Sequence, residues 1–315
     1  MLIIGIDEPE ASLHISACYN QFNKLYELCS PVCQTIFTTH WYGFIPTIEQ
    51  GGIVNISTMQ GEHKFDIFDI ERYREQIRQQ IVEQKRYLPL DISLKSINDF
   101  IQSIISSLMQ ETPYNWLICE GSSDKVYLEA YFRDVIKANK LRIIPVGGVG
   151  EIAKIYKQLL IFFDDQHIKK EIKGKVFLLS DTDSELHQYP IKHGINNLEN
   201  KRLLLDERED RIKLVNIDCQ FVSPATDIED SMNGKICKRV LQTLKESTPL
   251  LSFIDDDASE KCAAVALNLN RENTKKLKEF YNTDNNKFLC AKRYVEYLSS
   301  GDNKVPEWIF VIKIL

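Results

Sequence analysis

Apolar runs that end abruptly in carboxylates recur along this chain. The stretches WLICEGSSDKVYL (116–128) and VFLLSDTDSEL (176–186) each begin with a buried-strand pattern and then turn acidic. Between them, residues 141–163 predict a strand, a glycine turn and a helix. A further strand is predicted at 211–218, and the acidic stretch ATDIEDSM (225–232) follows it. Such alternation predicts an α/β fold with parallel strands and right-handed crossovers.

The acidic residues at these strand ends are expected to lie together, because the carboxyl ends of parallel strands share one edge of a sheet. Glu120, Asp181 and Asp183 should therefore converge, although Glu120 is distant from the other two in the sequence. Positions 181 and 183 lie on the same side of an extended segment and can reach the same region. Clustered carboxylates of this kind favour Mg²⁺ or Mn²⁺ over zinc.

The amino-terminal segment shows a second pattern of strands that end in polar residues. The stretch LIIGIDEPEASLH (2–14) predicts an apolar strand that turns at once to Asp7 and Glu8. The stretch TIFTTH (35–40) predicts a second strand that ends at His40. Residues 10–30, between the two, have apolar positions at a helical spacing. A strand, a helix and a second strand are therefore predicted.

Residues 51–62 predict short strands around glycines. The charged stretch 69–88 predicts a helix that Pro89 ends, and 91–110 predicts a second helix with a wide apolar face. We expect residues 63–112 to form a helical connector that packs in the core or against a partner. The terminal stretch WIFVIKIL (308–315) predicts an apolar strand.

Four of these stretches resemble the motifs of the TOPRIM domain, in the same order and with similar spacing. They are ICEGSSDKVYL (118–128), PVGGVGEIAKI (145–155), LLSDTDSE (178–185) and TDIEDSM (226–232). In the amino-terminal segment, LIIGIDEPEASLH (2–14) resembles the Walker B strand of ABC-type ATPases of the SMC and OLD kind. TIFTTH (35–40) resembles the switch-histidine strand of the same enzymes. An ATPase followed by a TOPRIM domain is the domain order of the OLD (overcoming lysogenization defect) family of nucleases.

The resemblance implies three regions. Residues 1–62 would be the carboxy-terminal part of an ABC/SMC-like ATPase lobe, residues 63–112 the connector, and residues 113–315 a TOPRIM nuclease domain with a helical elaboration. No G-x-x-x-x-G-K-[ST] loop occurs in the 315 residues. We therefore expect ATP to bind only with a partner or upstream segment that carries such a loop, and no ATPase activity from this chain alone.

The resemblance also assigns site residues. In the ATPase lobe, Asp7 would hold the Mg²⁺ water shell, Glu8 would polarise the attacking water and His40 would contact the γ-phosphate. In the TOPRIM domain, a two-metal site would activate water and stabilise the leaving oxygen. Its expected metal ligands are Glu120, Asp124, Asp181, Asp183 and Glu229, of which Glu120 and Asp124 could instead act in proton transfer. Lys287 would stabilise charge on the scissile phosphate, with Lys292 as the second choice, and Ser180 could support the turn at Asp181.

Some of these residues also have simpler interpretations. Asp124 could only stabilise the N-terminus of its helix. Glu229 and Asp230 could be ordinary surface acids. The glycines at 147, 148 and 150 do not have the spacing of a dinucleotide fingerprint, and they predict a tight turn that a nucleic-acid backbone could approach.

Charge limits the mode of nucleic-acid binding. The formal net charge of −6 argues against binding by bulk electrostatics, although a local basic groove is compatible with it. Positive charges cluster at Arg271, Lys275, Lys276 and Lys278, as a solvated face or as contacts to DNA phosphates. The cysteines have no zinc-binding spacing, and no signal peptide or membrane span is apparent, so a cytoplasmic protein without a membrane partner is expected.

The expected function is a Mg²⁺- or Mn²⁺-dependent endonuclease that nicks or cleaves DNA and is regulated by an ABC-type ATPase. A role in anti-phage defence is implied by the family resemblance. Two alternatives are a TOPRIM enzyme of the topoisomerase or primase type, and a non-catalytic, metal-binding scaffold in a defence complex. A homo-oligomer, or a complex with another defence subunit, is expected as the assembly.

Overall fold

A computed structural model of the protein divides into two compact units. The first unit comprises Met1–Trp116 and Lys154–Lys175, and the second comprises Leu117–Ala153 and Val176–Leu315. The structure describes residues 1–48, 50–59, 61–73, 76–77, 90–182, 189–220, 224–245, 248–255, 259–283, 285–299 and 304–312. Asp183 and most of the charged stretch 69–88 lie outside the described residues.

The first unit opens with the predicted strand, helix and strand. Strands β1 (Leu2–Asp7) and β2 (Cys33–Thr38) flank helix α1 (Ile15–Glu27). The strands are parallel and in register from Leu2 opposite Cys33 to Asp7 opposite Thr38. This register places the two polar strand ends side by side.

A hairpin follows, and it corrects part of the predicted connector. Strands β3 (Gly52–Met59) and β4 (Glu62–Asp69) are antiparallel, with Gly52 opposite Asp69. Residues 63–69 are therefore a strand and not part of a helical connector. The physical reason is the alternation of polar and apolar residues along β4, which has the two-residue period of a strand. Helix α2 (Leu90–Leu108) confirms the second predicted helix.

Helix α2 carries the buried face of the first unit. Its apolar side chains Phe100, Ile101, Ile104, Ile105 and Leu108 are all buried. Trp116 is fully buried beside it, and its indole Nε1 donates a hydrogen bond of 2.9 Å to Ser107 Oγ. The apolar period of α2 was thus a sound guide to the core of this unit.

A five-stranded, mostly parallel sheet flanked by helices forms the centre of the α/β fold, as predicted. Its spatial order is β6–β5–β7–β8–β9. Strands β7 and β8 are parallel, and β9 is antiparallel to β8. The strands are β5 (Asn115–Cys119), β6 (Leu141–Pro145), β7 (Val176–Ser180), β8 (Leu198–Asp206) and β9 (Arg211–Asn216).

Helices connect the first strands of the sheet. Helices α3 (Ser122–Tyr131) and α4 (Arg133–Ala138) join β5 to β6. Helices α5 (Val149–Asp164) and α6 (Ile168–Glu171) join β6 to β7. The strand-helix alternation predicted for this region is therefore confirmed.

Strand β8 was missed by the sequence analysis. Its sequence, LENKRLLLD, places Asn200 and Arg202 at buried positions, with exposed fractions of 4% and 1%. Polar residues at these positions conceal the apolar pattern by which a buried strand is recognised. Two threonines beside the acidic strand ends, described below, form hydrogen bonds to this strand.

Six helices follow the sheet in the described part of the chain. The terminal stretch 308–315 was predicted as a strand, but residues 307–311 form a helix, and the prediction was wrong there. The burial of Trp308, Ile309 and Ile312 has helical spacing, and Trp308 Nε1 donates to Ser231 O at 3.3 Å. The helices are α7 (Ile228–Ser231), α8 (Gly234–Lys245), α9 (Ala263–Leu267), α10 (Arg271–Tyr281), α11 (Asn286–Leu298) and α12 (Glu307–Val311).

One face of the sheet and these helices share a single apolar core. Leu117, Phe177 and Leu203 belong to this core together with Leu241 of α8 and Tyr294 of α11. All eight cysteines are free thiols. No helix in the described part of the chain is long and apolar enough to cross a membrane.

The close approach of α8 to α9 leads to a prediction. A Cβ atom added at Gly234 would collide with Ala266 Cβ and lie 2.8 Å from Lys261 O, whereas one added at Gly150 would meet no described heavy atom within 4 Å. We expect Gly234→Ala to destabilise the protein by about 1–3 kcal/mol through overpacking. Gly150→Ala should be neutral or stabilise by up to about 1 kcal/mol, because alanine favours the helical backbone. Urea unfolding followed by circular dichroism measures both; equal midpoints for the two variants would contradict the packing described here.

Candidate acidic site

The strand order places the ends of β5 and β7 at a favoured position for ligands. The connection after β5 leads to β6 on one side, and the next connection leads to β7 on the other side of β5. In open α/β sheets, ligands bind in the crevice outside the carboxyl ends of the strands where the order reverses in this way. Glu120 directly follows β5 and Asp181 directly follows β7.

Glu120 and Asp181 are in direct contact. The backbone N–H of Asp181 donates a hydrogen bond of 2.9 Å to Glu120 Oε1. The carbonyl of Glu120 accepts hydrogen bonds from Gly147 N–H at 2.8 Å and Gly148 N–H at 3.1 Å. Both glycines have positive φ, 90° and 116°, which other residues rarely adopt. The glycine turn is thus tight, as predicted, and it holds Glu120 in place.

Asp124 is buried in the first turn of α3 and caps the helix. Its Oδ2 accepts hydrogen bonds from Glu120 N–H at 3.1 Å and Gly121 N–H at 2.9 Å. The interpretation of Asp124 as a residue that stabilises its helix is therefore supported. Its carboxylate nevertheless lies within electrostatic reach of Asp181, as the pKa of Asp181 shows.

A pair of threonines joins the end of β7 to the second acidic stretch. Thr182 and Thr226 form an antiparallel bridge, in which each N–H donates to the other residue's carbonyl at 2.9 Å. Thr182 Oγ1 donates to Leu203 O, and Thr226 Oγ1 accepts from Leu205 N–H at 3.0 Å, so both side chains bind β8. The bridge brings the loop before α7 to the strand ends.

Glu229, on α7, is buried beside the expected lysine. Its side chain is 5% exposed, and its Oε2 lies 3.0 Å from Lys287 Nζ in the first turn of α11. Within the described residues, Glu229 Oε1 has no hydrogen-bond partner. The interpretation of Glu229 as a surface acid is therefore wrong. Asp230 caps α7 instead, since its Oδ2 accepts from Asp227 N–H at 2.9 Å.

The two central carboxyls have a raised affinity for protons. Burial, followed by the charges of Asp124 and Glu120, raises the pKa of Asp181 well above its usual range. Burial raises the pKa of Glu229 to about 7, and Lys287 opposes this rise while Asp124 adds to it. The charge of Lys287 therefore neutralises only part of the negative charge of these carboxylates.

The same acidic charges also raise the pKa of Lys287, in which they favour the charged form. Burial alone would lower the pKa of its ammonium group, but Glu229, Asp181 and Asp124 together raise it well above the usual value. Lys292, the second choice, instead lies over the ring of Phe288, 4.5 Å from its centroid. The structure therefore places Lys287, and not Lys292, against the acidic side chains.

The donor set of this site suits a hard cation. All candidate ligands are carboxylate oxygens, and one buried oxygen of Glu229 is without a described partner. Burial and mutual repulsion raise the pKa of Asp181, and a bound cation would relieve that repulsion. Within the described residues, no group of three or more His, Cys, Asp or Glu side chains is arranged to hold a metal ion. Asp183, a predicted ligand, lies outside those residues.

Ser180 has a different environment from the one expected. It is buried, with an exposed fraction of 1%, and its Oγ makes no hydrogen bond to a described residue. Support of the turn at Asp181 through this hydroxyl is therefore not seen in the described part of the chain. Support comes from Thr182, which the sequence analysis did not single out.

The three residues predicted for the ATPase lobe lie together in the first unit. Thr38 Oγ1 donates to Asp7 Oδ1, and Glu8 N–H donates to Thr38 O at 3.1 Å. His40 Nε2 lies 3.3 Å from Glu8 Oε1. Glu10 was missed: its Oε1 accepts from His40 N–H at 2.9 Å and so fixes the histidine loop. The contact of His40 with a γ-phosphate stays a prediction.

Comparison of the sequence with protein-family models and with curated proteins finds no match. The resemblance to the TOPRIM and OLD families therefore rests on the sequence motifs alone.

The raised pKa of Glu229 predicts the pH dependence of stability. Between its ordinary pKa of 4.5 and its raised pKa of about 7, the folded state binds more protons than the unfolded state. The free energy of unfolding should therefore fall as pH rises through this window, and from pH 5 to 7.5 the loss from Glu229 is about 2 kcal/mol.

Urea unfolding in EDTA at pH 5 and at pH 7.5 measures this loss. Glu229→Gln should lose about 2 kcal/mol less than wild type over this range, because its amide does not titrate. Asp134→Asn, at an exposed carboxylate of α4, is the matched control and should follow wild type. Parallel pH dependence of wild type and Glu229→Gln would contradict the assignment.

Proposed function

We propose that the second unit is a TOPRIM-type endonuclease domain that nicks or cleaves DNA with Mg²⁺ or Mn²⁺. The observation that carries this proposal is the convergence of carboxylates from separate segments with one lysine, where the strand order reverses. Glu120 contacts the backbone of Asp181, and Glu229 contacts Lys287. The TOPRIM-like motifs supply the carboxylates of this arrangement, and Lys287 comes from a later segment of the chain.

Phosphodiester hydrolysis requires an activated water and compensation of charge on the phosphate. A bound Mg²⁺ or Mn²⁺ supplies both when it is present. Glu120, Asp181 and Glu229 are the described residues that would hold it, and Asp183 is proposed as a further ligand. Lys287 is held by Glu229 and supplies a fixed positive charge for the phosphate oxygens.

The raised pKa values connect the site to metal binding. The pKa of Asp181 is raised and that of Glu229 is about 7, so a cation would compete with protons for these carboxylates, because metal ligands must be deprotonated. Cation binding should therefore release protons and strengthen as pH rises. A cluster built only for structure gains nothing from carboxylates that repel one another, so this feature favours a metal site, and the cleavage assay below separates the enzyme from a metal-binding scaffold.

The first unit is proposed to be a regulatory lobe of the ABC type. Asp7, Glu8 and His40 are adjacent there, but the sequence contains no Walker A loop to hold the phosphates of ATP. Nucleotide binding would therefore need such a loop from another segment or another chain. The role in anti-phage defence and the homo-oligomeric assembly are proposals that rest on the family resemblance.

Cleavage of supercoiled plasmid in Mg²⁺ or Mn²⁺ tests the proposed nuclease. Asp181→Asn should lower the rate of nicking by about 100-fold or more, because it removes a central ligand. Lys287→Met should lower it by a similar factor, since it removes the cation that stabilises developing charge. Asp134→Asn is the control for the loss of one carboxylate and should cleave like wild type.

Two results would contradict the proposal. One is nicking by Asp181→Asn at the wild-type rate, which would place the chemistry elsewhere. The other is the absence of cleavage by the folded wild-type chain both alone and with an added Walker A-bearing segment and ATP. That second result would favour the alternative of a metal-binding scaffold.

A further inference from the structure

Helix α10 presents a row of three positive charges to solvent. Arg271, Lys275 and Lys278 are spaced at i, i+4 and i+7, which places them on one face of the helix. All three are exposed. Leu277 and Phe280 are buried and occupy a different face, against the core. We call the three positive residues the α10 row.

The α10 row lacks the ion pairs that other lysines of the second unit make. Within the described residues, none of the three members has a carboxylate within ion-pair distance. Three other lysines of the second unit are paired: Lys276 with Glu272 at 2.6 Å, Lys235 with Glu260 at 3.0 Å, and Lys261 with Asp210 at 2.8 Å. Within the described residues, the row is thus positive charge without ion pairs, in a chain whose net charge is −6.

The row ends beside the acidic site. Helix α10 ends at Tyr281, and Asn286 at the start of α11 donates from Nδ2 to Phe280 O at 3.0 Å. The next residue, Lys287, is the one that pairs with Glu229. Burial and Asp227 raise the pKa of Asp230 to about 6, and the charge of Lys278 lowers it in part, so Lys278 lies within electrostatic reach of α7.

The dimensions of the row match a nucleic-acid strand. Seven residues of helix span about 10 Å, and a strand of duplex DNA rises about 3.4 Å per phosphate, so the row extends over about three phosphates. Exposed cations that make no ion pair release counterions on binding such a polyanion. A paired lysine such as Lys276 contributes less, because its charge is already neutralised by Glu272.

We propose that Arg271, Lys275 and Lys278 bind the phosphodiester backbone of duplex DNA and direct it to the acidic site. This inference rests on the proposed function for the identity of the substrate. It adds the surface by which an acidic protein holds a polyanion.

The test is binding of a fluorescein-labelled DNA duplex by fluorescence anisotropy, with Ca²⁺ in place of Mg²⁺, over a series of salt concentrations. The variant Arg271→Ala/Lys275→Ala/Lys278→Ala should bind at least about 10-fold more weakly than wild type at low salt. Its slope of log affinity against log salt should be smaller by about 2–3, since three phosphate contacts are lost. Circular dichroism and thermal unfolding should match wild type, because all three side chains are exposed.

The matched control is Lys235→Ala/Lys261→Ala/Lys276→Ala, which changes the net charge by the same amount at paired lysines. It should bind within about 3-fold of wild type. The proposal is overturned if this control loses as much affinity as the row variant, if the row variant binds like wild type, or if the wild type does not bind the duplex at all. If DNA binding depends on the row but no cleavage occurs in Mg²⁺, the DNA-binding role of the row is supported and only the proposed nuclease activity is contradicted.

Discussion

The antiparallel bridge between Thr182 and Thr226 is the constraint on which the acidic site depends. It joins the residue after Asp181 to the residue before Asp227, and both threonine side chains are bound to the backbone of β8. The bridge acts together with the burial of Ile228 and Met232 in the core that they share with Leu117 and Phe177 of the sheet. These contacts fix α7 beside the sheet, and α7 carries Glu229, whose partner is Lys287. A neutral backbone interaction positions the charged residues, which could not hold this arrangement by themselves because they repel one another.

The acidic site holds more negative charge than Lys287 compensates. Burial and mutual repulsion raise the proton affinity of Asp181 and Glu229, while Lys287 compensates only part of the negative charge. This imbalance would favour the binding of a hard cation, and a cation bound there would attract a phosphate. The acidic protein would repel DNA elsewhere, and the α10 row is the proposed local exception. The proposed metal binding and the proposed substrate binding would thus both follow from the distribution of charge.

The sequence predicted the parts of the site whose signal is local. Glu120 and Asp181 stand at the ends of apolar runs, and parallel strands bring such ends together. Lys287 was predicted from the family resemblance, and the structure places it against Glu229. Strand β8 was not predicted because Asn200 and Arg202 occupy buried positions. The Thr182–Thr226 bridge was not predicted because the choice of partner for a loop depends on tertiary packing. The helix at 307–311 was predicted as a strand because a short apolar run fits both periods.

The central claim is that these carboxylates form one cation site. Titration with Mn²⁺, with the free ion measured by electron paramagnetic resonance, tests it most directly, since no nucleic acid or turnover is involved. We expect Mn²⁺ to bind saturably to wild type and to Asp134→Asn, and Mg²⁺ to compete with it. Binding to Asp181→Asn and to Glu229→Gln should be at least about 10-fold weaker. Unchanged Mn²⁺ affinity in both of these last two variants, or no saturable binding to the wild type, would contradict it.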